Sequence, residues 1–92
     1  MEQSASARAI AAVVVAIEEG DLWTYGEVAR AAGCGGPRYV GTVLSLYGDD
    51  LPWHRVVRAD GRIPEHLMPE QAARLSNEGH EVRNGKVRLR ST

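Results

Sequence analysis

Apolar residues recur at Ile10, Val13, Val14 and Ile17, the spacing that lines one face of a helix. Ser4 and Ser6 precede this stripe as candidate N-caps and Gly20 follows it as a stop, so a buried first helix of about four turns is expected. Thr24-Tyr25-Gly26-Glu27 has the form of a capping box, which starts a second, short helix that should end near Gly33. Gly33-Cys34-Gly35-Gly36 reads as a turn, and Pro37 suits the first position of a third helix running to Gly48. In that helix Val40, Val43, Leu44 and Tyr47 form the apolar stripe. Arg38, Gly41, Thr42 and Ser45 share another face, small and polar, with nothing bulky to hold a sugar-phosphate backbone away. Two helices joined by a four-residue Gly-rich turn outline a helix-turn-helix, although two merely packed helices would look the same.

Beyond Trp53 the pattern changes to period two. Val56 and Val57 predict a strand, Ala59-Asp60-Gly61 a turn, and Arg62-Ile63 a returning strand. Pro69 opens a fourth helix through about Asn77, with Gly79 as its stop. Val82 to Val87 places Asn84-Gly85 between short alternating runs, a strong hairpin signal. Helices followed by small β elements give an α+β, winged-helix-like domain.

The 92 residues are expected to form a single domain, with 43% hydrophobic and 25% charged residues typical of a globular chain. The longest apolar run, 10–17, is too short to span a bilayer and no basic stretch precedes it, so neither a membrane span nor a signal peptide is expected. One cysteine excludes an internal disulfide and fits a reducing, cytoplasmic setting. The net charge of −1 argues against indiscriminate binding to nucleic acid. It is unevenly spread: residues 1–53 carry three Arg against seven acids, and residues 54–92 carry eight Lys or Arg against five. An electropositive face must therefore be assembled locally, mostly from the second half together with Arg30 and Arg38.

Cys34, His54, His66 and His80 have no metal-binding spacing, and no metal or other cofactor is expected. The Gly-rich turn lacks the Lys-Ser/Thr of a phosphate-binding loop. Cys34 stands just before a helix, where a thiol can be activated, but has no neighbouring base in sequence and reads as a small turn residue. Arg83, Lys86, Arg88 and Arg90 in the C-terminal hairpin read as a solvated basic face.

Pro52-Trp53-His54-Arg55-Val56 is the most specific element. It resembles the Pro-Cys-His-Arg-Val active-site motif of the O6-alkylguanine-DNA alkyltransferases, and more closely the Pro-Trp-x-Arg-Val motif of the alkyltransferase-like proteins. TYGEVARAAG (24–33) resembles the first helix of that family's helix-turn-helix, PRYVG (37–41) its Arg-x-Val-Gly recognition helix, and NEGH (77–80) its C-terminal Glu-Gly. Four motifs in one order carry much more weight than any one of them.

The resemblance implies the fold of the alkyltransferase C-terminal domain, minor-groove binding to duplex DNA containing O6-alkylguanine, and handover to nucleotide-excision repair proteins. Arg38 matches the arginine that fills the gap left by a flipped-out nucleotide, and Tyr25 the tyrosine that turns the adjoining phosphate, with Gly41, Thr42 and Ser45 on the DNA side of the helix. His54 and Glu78 match the pair that activates the cysteine in the enzymes; here they either touch the lesion or survive as structural partners. Trp53 stands where that cysteine would be. Displacement of an alkyl group needs an anionic nucleophile, and an indole offers only an N–H donor and a π face. The chain is therefore expected to be a binder and not an enzyme, with Trp53, Pro52, His54, Arg55 and Glu78 around the lesion, and Arg62 or His66 facing it.

Two departures stand out. The family's Asn-Pro ahead of the motif is replaced by Gly48-Asp49-Asp50, and its Gly-rich binding loop has no clear match, with 62–68 in its place. The resemblance also does not extend to the enzymes' additional N-terminal domain. A winged-helix regulator reading DNA sequence and an active alkyltransferase using Cys34 are the rival readings. Nothing in the sequence calls for more than a monomer.

Overall fold

The computed structural model describes residues 4–89. Helices α1 (Ala5–Val15), α2 (Tyr25–Ala32) and α3 (Pro37–Tyr47) pack on one another, and α4 (Glu70–Asn77) lies against the 3₁₀ turn Trp53–Arg55. Strand β1 (Trp23–Thr24) pairs in parallel with β2 (Val56–Val57), and β3 (Val82–Arg83) pairs antiparallel with β4 (Lys86–Val87). This is a small α+β domain. Among the described residues no helix is long and apolar enough to cross a membrane.

Local chemistry accounts for the helix boundaries. The Ser4 hydroxyl accepts from the Ala7 amide and caps α1. The expected four turns of α1 are not reached, because the Ala16 and Ile17 amides turn to the carbonyls of Val13 and Val14, which tightens and ends the helix well before Gly20. Both halves of the capping box on α2 form: the Glu27 amide donates to the Thr24 hydroxyl and the Thr24 amide to the Glu27 carboxylate. Gly33 closes α2 in the left-handed region at φ 73°. Pro37 occupies the first turn of α3.

The core has two parts. Ile10, Val14 and Ile17 of the α1 region meet Val28, Val40, Val43 and Val56 in the larger one. Each such side chain contributes about 1.5–3 kcal/mol on full burial. Val57, Ile63, Leu75 and Val87 make the smaller one, under α4 and the hairpin. Successive residues of β2 thus feed opposite clusters, as the period of a strand requires.

The predicted return of Arg62-Ile63 onto β2 is a correction. The Arg58 amide donates to the Arg62 carbonyl and the Gly61 amide to the Arg58 carbonyl, closing the turn, and the chain then leaves β2. The Ile63 amide donates to the Gly85 carbonyl, and Arg62 bridges to Lys86. β2 instead takes β1 as its partner, with Trp23 opposite Val56 and Thr24 opposite Val57. The C-terminal hairpin forms at the expected place, with Asn84 (φ 54°) and Gly85 (φ 74°) in its turn. Of its expected basic face, Arg90 lies outside the described residues.

Candidate functional site

A cleft of about 1270 Å³ opens between α3 on one side and segment 64–74 on the other. Arg38, Gly41, Thr42 and Ser45 of α3 line it, as does Tyr25 from the start of α2. The capping box fixes the start of α2, and Pro37 opens α3 without a side-chain cap. The Thr42 hydroxyl folds back to donate to the Arg38 carbonyl, 3.2 Å away, and a Cβ at Gly41 would stand in open space. Arg38 is exposed to solvent.

Trp53 forms part of the opposite wall. Pro52, at φ −76° and ψ 60°, makes an inverse γ-turn in which the Trp53 amide donates to the Leu51 carbonyl at 2.7 Å. Proline already holds its φ near that value, so the sharp bend costs little and throws Trp53 toward the cleft while the next residues turn inward. Its ring meets the His54 ring edge-on at 6.2 Å, and the Arg74 guanidinium lies 5.5 Å from its centroid. Arg74 donates to Glu70 at 2.8 Å.

The inward residues of the motif form a separate, largely buried network. His54 Nε2 lies 2.7 Å from a Glu78 oxygen, and Arg55 donates to the same carboxylate through Nε and Nη2. Nη1 of Arg55 reaches the Ile17 carbonyl at 2.8 Å, while the Gly20 amide donates to Glu78. These donors, Arg55 foremost, hold the Glu78 carboxyl down to about 2, and the same contact raises the Arg55 pKa. Gln71, fully buried, donates to the carbonyls of His54 and Val56 and so ties α4 to the motif's backbone.

Arg38, Tyr25, Gly41, Thr42, Ser45, Trp53 and His66 all line one cleft. Pro52, His54, Arg55, Glu78 and Arg62 do not line it. Pro52 shapes the bend, His54, Arg55 and Glu78 form the network behind it, and Arg62 pairs with Asp60 beside the hairpin. Cys34 is half-buried near the Ser6 carbonyl and does not line the cleft either. Among the described residues no three His, Cys, Asp or Glu side chains gather as metal ligands would.

Sequence reasoning passed over the cleft's Arg58, Glu70 and Arg74. Arg58 lies near enough to Tyr25 to oppose the rise in the phenol's pKa that burial causes, and burial wins, so Tyr25 keeps its proton at neutral pH. The spacing of Glu70 and Arg74 was a readable signal, since residues four apart on a helix meet.

Residues 5–80 match the model of the 6-O-methylguanine DNA methyltransferase DNA-binding domain. The chain belongs to this family. A family relative, the DNA base-flipping protein of Vibrio parahaemolyticus, is 40% identical over 87 residues, covering 88% of this chain and 87% of that protein. The DNA base-flipping protein of Escherichia coli is 50% identical over 54 residues, 55% of this chain and 42% of its own length. S. pombe Atl1 in complex with damaged DNA containing O6-carboxymethylguanine superposes with a TM-score of 0.80 at 29% identity, covering 98% of this chain and 93% of Atl1. The Mycobacterium tuberculosis O6-methylguanine methyltransferase gives 0.69 at 25% identity, over 84% of this chain and half of that one. The α+β fold of the methyltransferase DNA-binding domain is thus the fold of this chain.

Proposed function

We propose that this protein recognises O6-alkylguanine in duplex DNA by flipping the damaged nucleotide into the cleft, transfers no alkyl group, and leaves the complex to be read by nucleotide-excision repair proteins. The observation that carries this reading is Trp53 on the cleft wall facing the small polar face of α3. Duplex DNA lies with its minor groove on α3, whose Gly41, Thr42 and Ser45 allow close approach. Arg38 enters the stack and takes the space of the extruded base, while Tyr25, a neutral phenol, turns the adjoining phosphate.

Extrusion costs a few kcal/mol, and less for a poorly paired alkylguanine, which supplies part of the selectivity. Stacking of the base against an aromatic returns about 1–3 kcal/mol. Trp53 has no displaceable proton-bearing sulfur, so the bound base stays alkylated and the distorted complex persists. Similarity to proteins named for base flipping, and to Atl1 in complex with damaged DNA, supports lesion recognition over sequence reading. The protein acts as a monomer in the cytoplasm, at the nucleoid in a bacterial cell.

The test is affinity at fixed salt for two duplexes identical except for one O6-methylguanine, followed by the mass of the recovered protein. Tighter binding to the lesion with unchanged mass is expected. Equal affinity would return the chain to sequence-reading helix-turn-helix proteins, and a gain of one methyl would make it a transferase acting through Cys34.

A further inference from the structure

Trp53 does not offer two free faces to a base. The Arg74 guanidinium lies 5.5 Å from the ring centroid, a cation–π distance, and both side chains line the cleft. Arg74 projects from α4 five residues after Pro69 and is held from the side by Glu70, one turn back on the same helix. One bond to Glu70 leaves the remaining donors of the guanidinium unused, and its side chain is 48% exposed, so it is open to a partner entering the cleft. The nearer cleft wall thus carries a cation stacked on the aromatic surface that the lesion is proposed to reach.

We infer that Arg74 makes the cleft selective for the charge of the O6 substituent, favouring guanines whose adduct ends in a carboxylate over neutral adducts of the same size. This rests on the proposed recognition of O6-alkylguanine. A base stacked beside Trp53 directs its O6 substituent along the wall where Arg74 stands. A carboxylate there accepts from the planar fork of donors in the geometry that suits guanidinium, in competition with Glu70. A neutral substituent such as an amide offers one uncharged acceptor, cannot engage the fork bidentately, and competes poorly with Glu70 for Arg74. The remaining charged side chains along the cleft are Arg38, Arg58, Asp49 and Glu70, with the imidazole of His66 beside them, and Arg38 is engaged with the duplex in the proposed complex. Among these groups Arg74 is the cation that lies over the Trp53 ring, beside the base.

The probes are three duplexes carrying guanine, O6-carboxymethylguanine or its isosteric neutral amide, O6-carbamoylmethylguanine, at one position. The wild-type protein is expected to bind the carboxymethyl duplex about tenfold more tightly than the carbamoylmethyl one, as one partly screened charge-assisted hydrogen bond provides. Arg74→Met, which keeps the length and loses the charge, is expected to bring the two adducts to equal affinity while both still exceed guanine. Arg74→Lys should retain part of the preference, and Glu70→Gln should raise it by freeing Arg74. Equal affinity of the wild type for the two adducts, both above guanine, overturns the inference and leaves lesion recognition standing. So does a preference that survives in Arg74→Met. No preference of the wild type for either adduct over guanine overturns lesion recognition, and this inference with it.

Discussion

Replacing Glu78 by Gln separates the network behind the motif from the cleft in front of it. The substitution keeps the shape of the side chain and removes the charge that accepts from His54, Arg55 and Gly20. In the folded protein the Glu78 carboxyl titrates at about 2, against an ordinary 4.5. At about 1.4 kcal/mol per tenfold change in proton affinity, the difference corresponds to about 3 kcal/mol. The side chain is 10% exposed, so solvent screening trims this only modestly, to between about 2 and 3 kcal/mol. Because the folded value is the lower one, the stabilisation is complete above pH 4.5 and disappears as the pH falls toward 2. At pH 7 Glu78→Gln should therefore melt about 10–20 °C below the wild type. Urea titrations should show the gap shrinking to less than half by pH 3. Below its melting temperature the variant should keep its preference for alkylated duplex, since Glu78 does not line the cleft. A variant as stable as the wild type at pH 7 would refute the electrostatic argument, and one that is folded but blind to the lesion would put Glu78 in the site.

Three further substitutions probe other parts of the account. Arg38→Ala should lose most of the affinity for an O6-methylguanine duplex, read by fluorescence anisotropy, with an unchanged melting temperature, because the side chain is exposed. Trp53→Ala should weaken lesion binding by about 1–3 kcal/mol, the stacking contribution of one base, with much less effect on unmodified duplex. Gly61→Ala should destabilise the fold by more than about 1 kcal/mol in urea titrations, since Gly61 sits at φ 86° and a Cβ there would run into the Val87 carbonyl oxygen.

The sequence was most legible where structure is made by neighbours in the chain. Thr24 and Glu27 announce α2, Pro37 opens α3, and Asn84-Gly85 turns the hairpin, each by chemistry confined to a few residues. β1 was invisible because it has two residues and its partner lies 33 positions on, at Trp23 and Val56. The expected return of Arg62-Ile63 onto β2 failed for the same reason: Gly85 and Lys86, distant in sequence, outcompeted the local pairing.

In the cleft, the motif's register placed Arg38, Tyr25 and Trp53 together. It could not show that Trp53 and His54, adjacent in sequence, face opposite ways across the Pro52 bend. Nor did it reveal that a cation from α4 covers the tryptophan, because Arg74 lies outside every quoted motif and its approach depends on the packing of α4 against the 3₁₀ turn.

The central claim is that a damaged base comes to rest against Trp53. The chain has two tryptophans, so Trp23→Phe leaves Trp53 as the sole indole while keeping an aromatic ring beside β2. Its emission should be followed through saturation with duplexes that differ only in one O6-methylguanine. Strong quenching by the lesion duplex, and little change with the unmodified one at equal occupancy, is the predicted result. The same response to both duplexes would mean that the base never reaches Trp53.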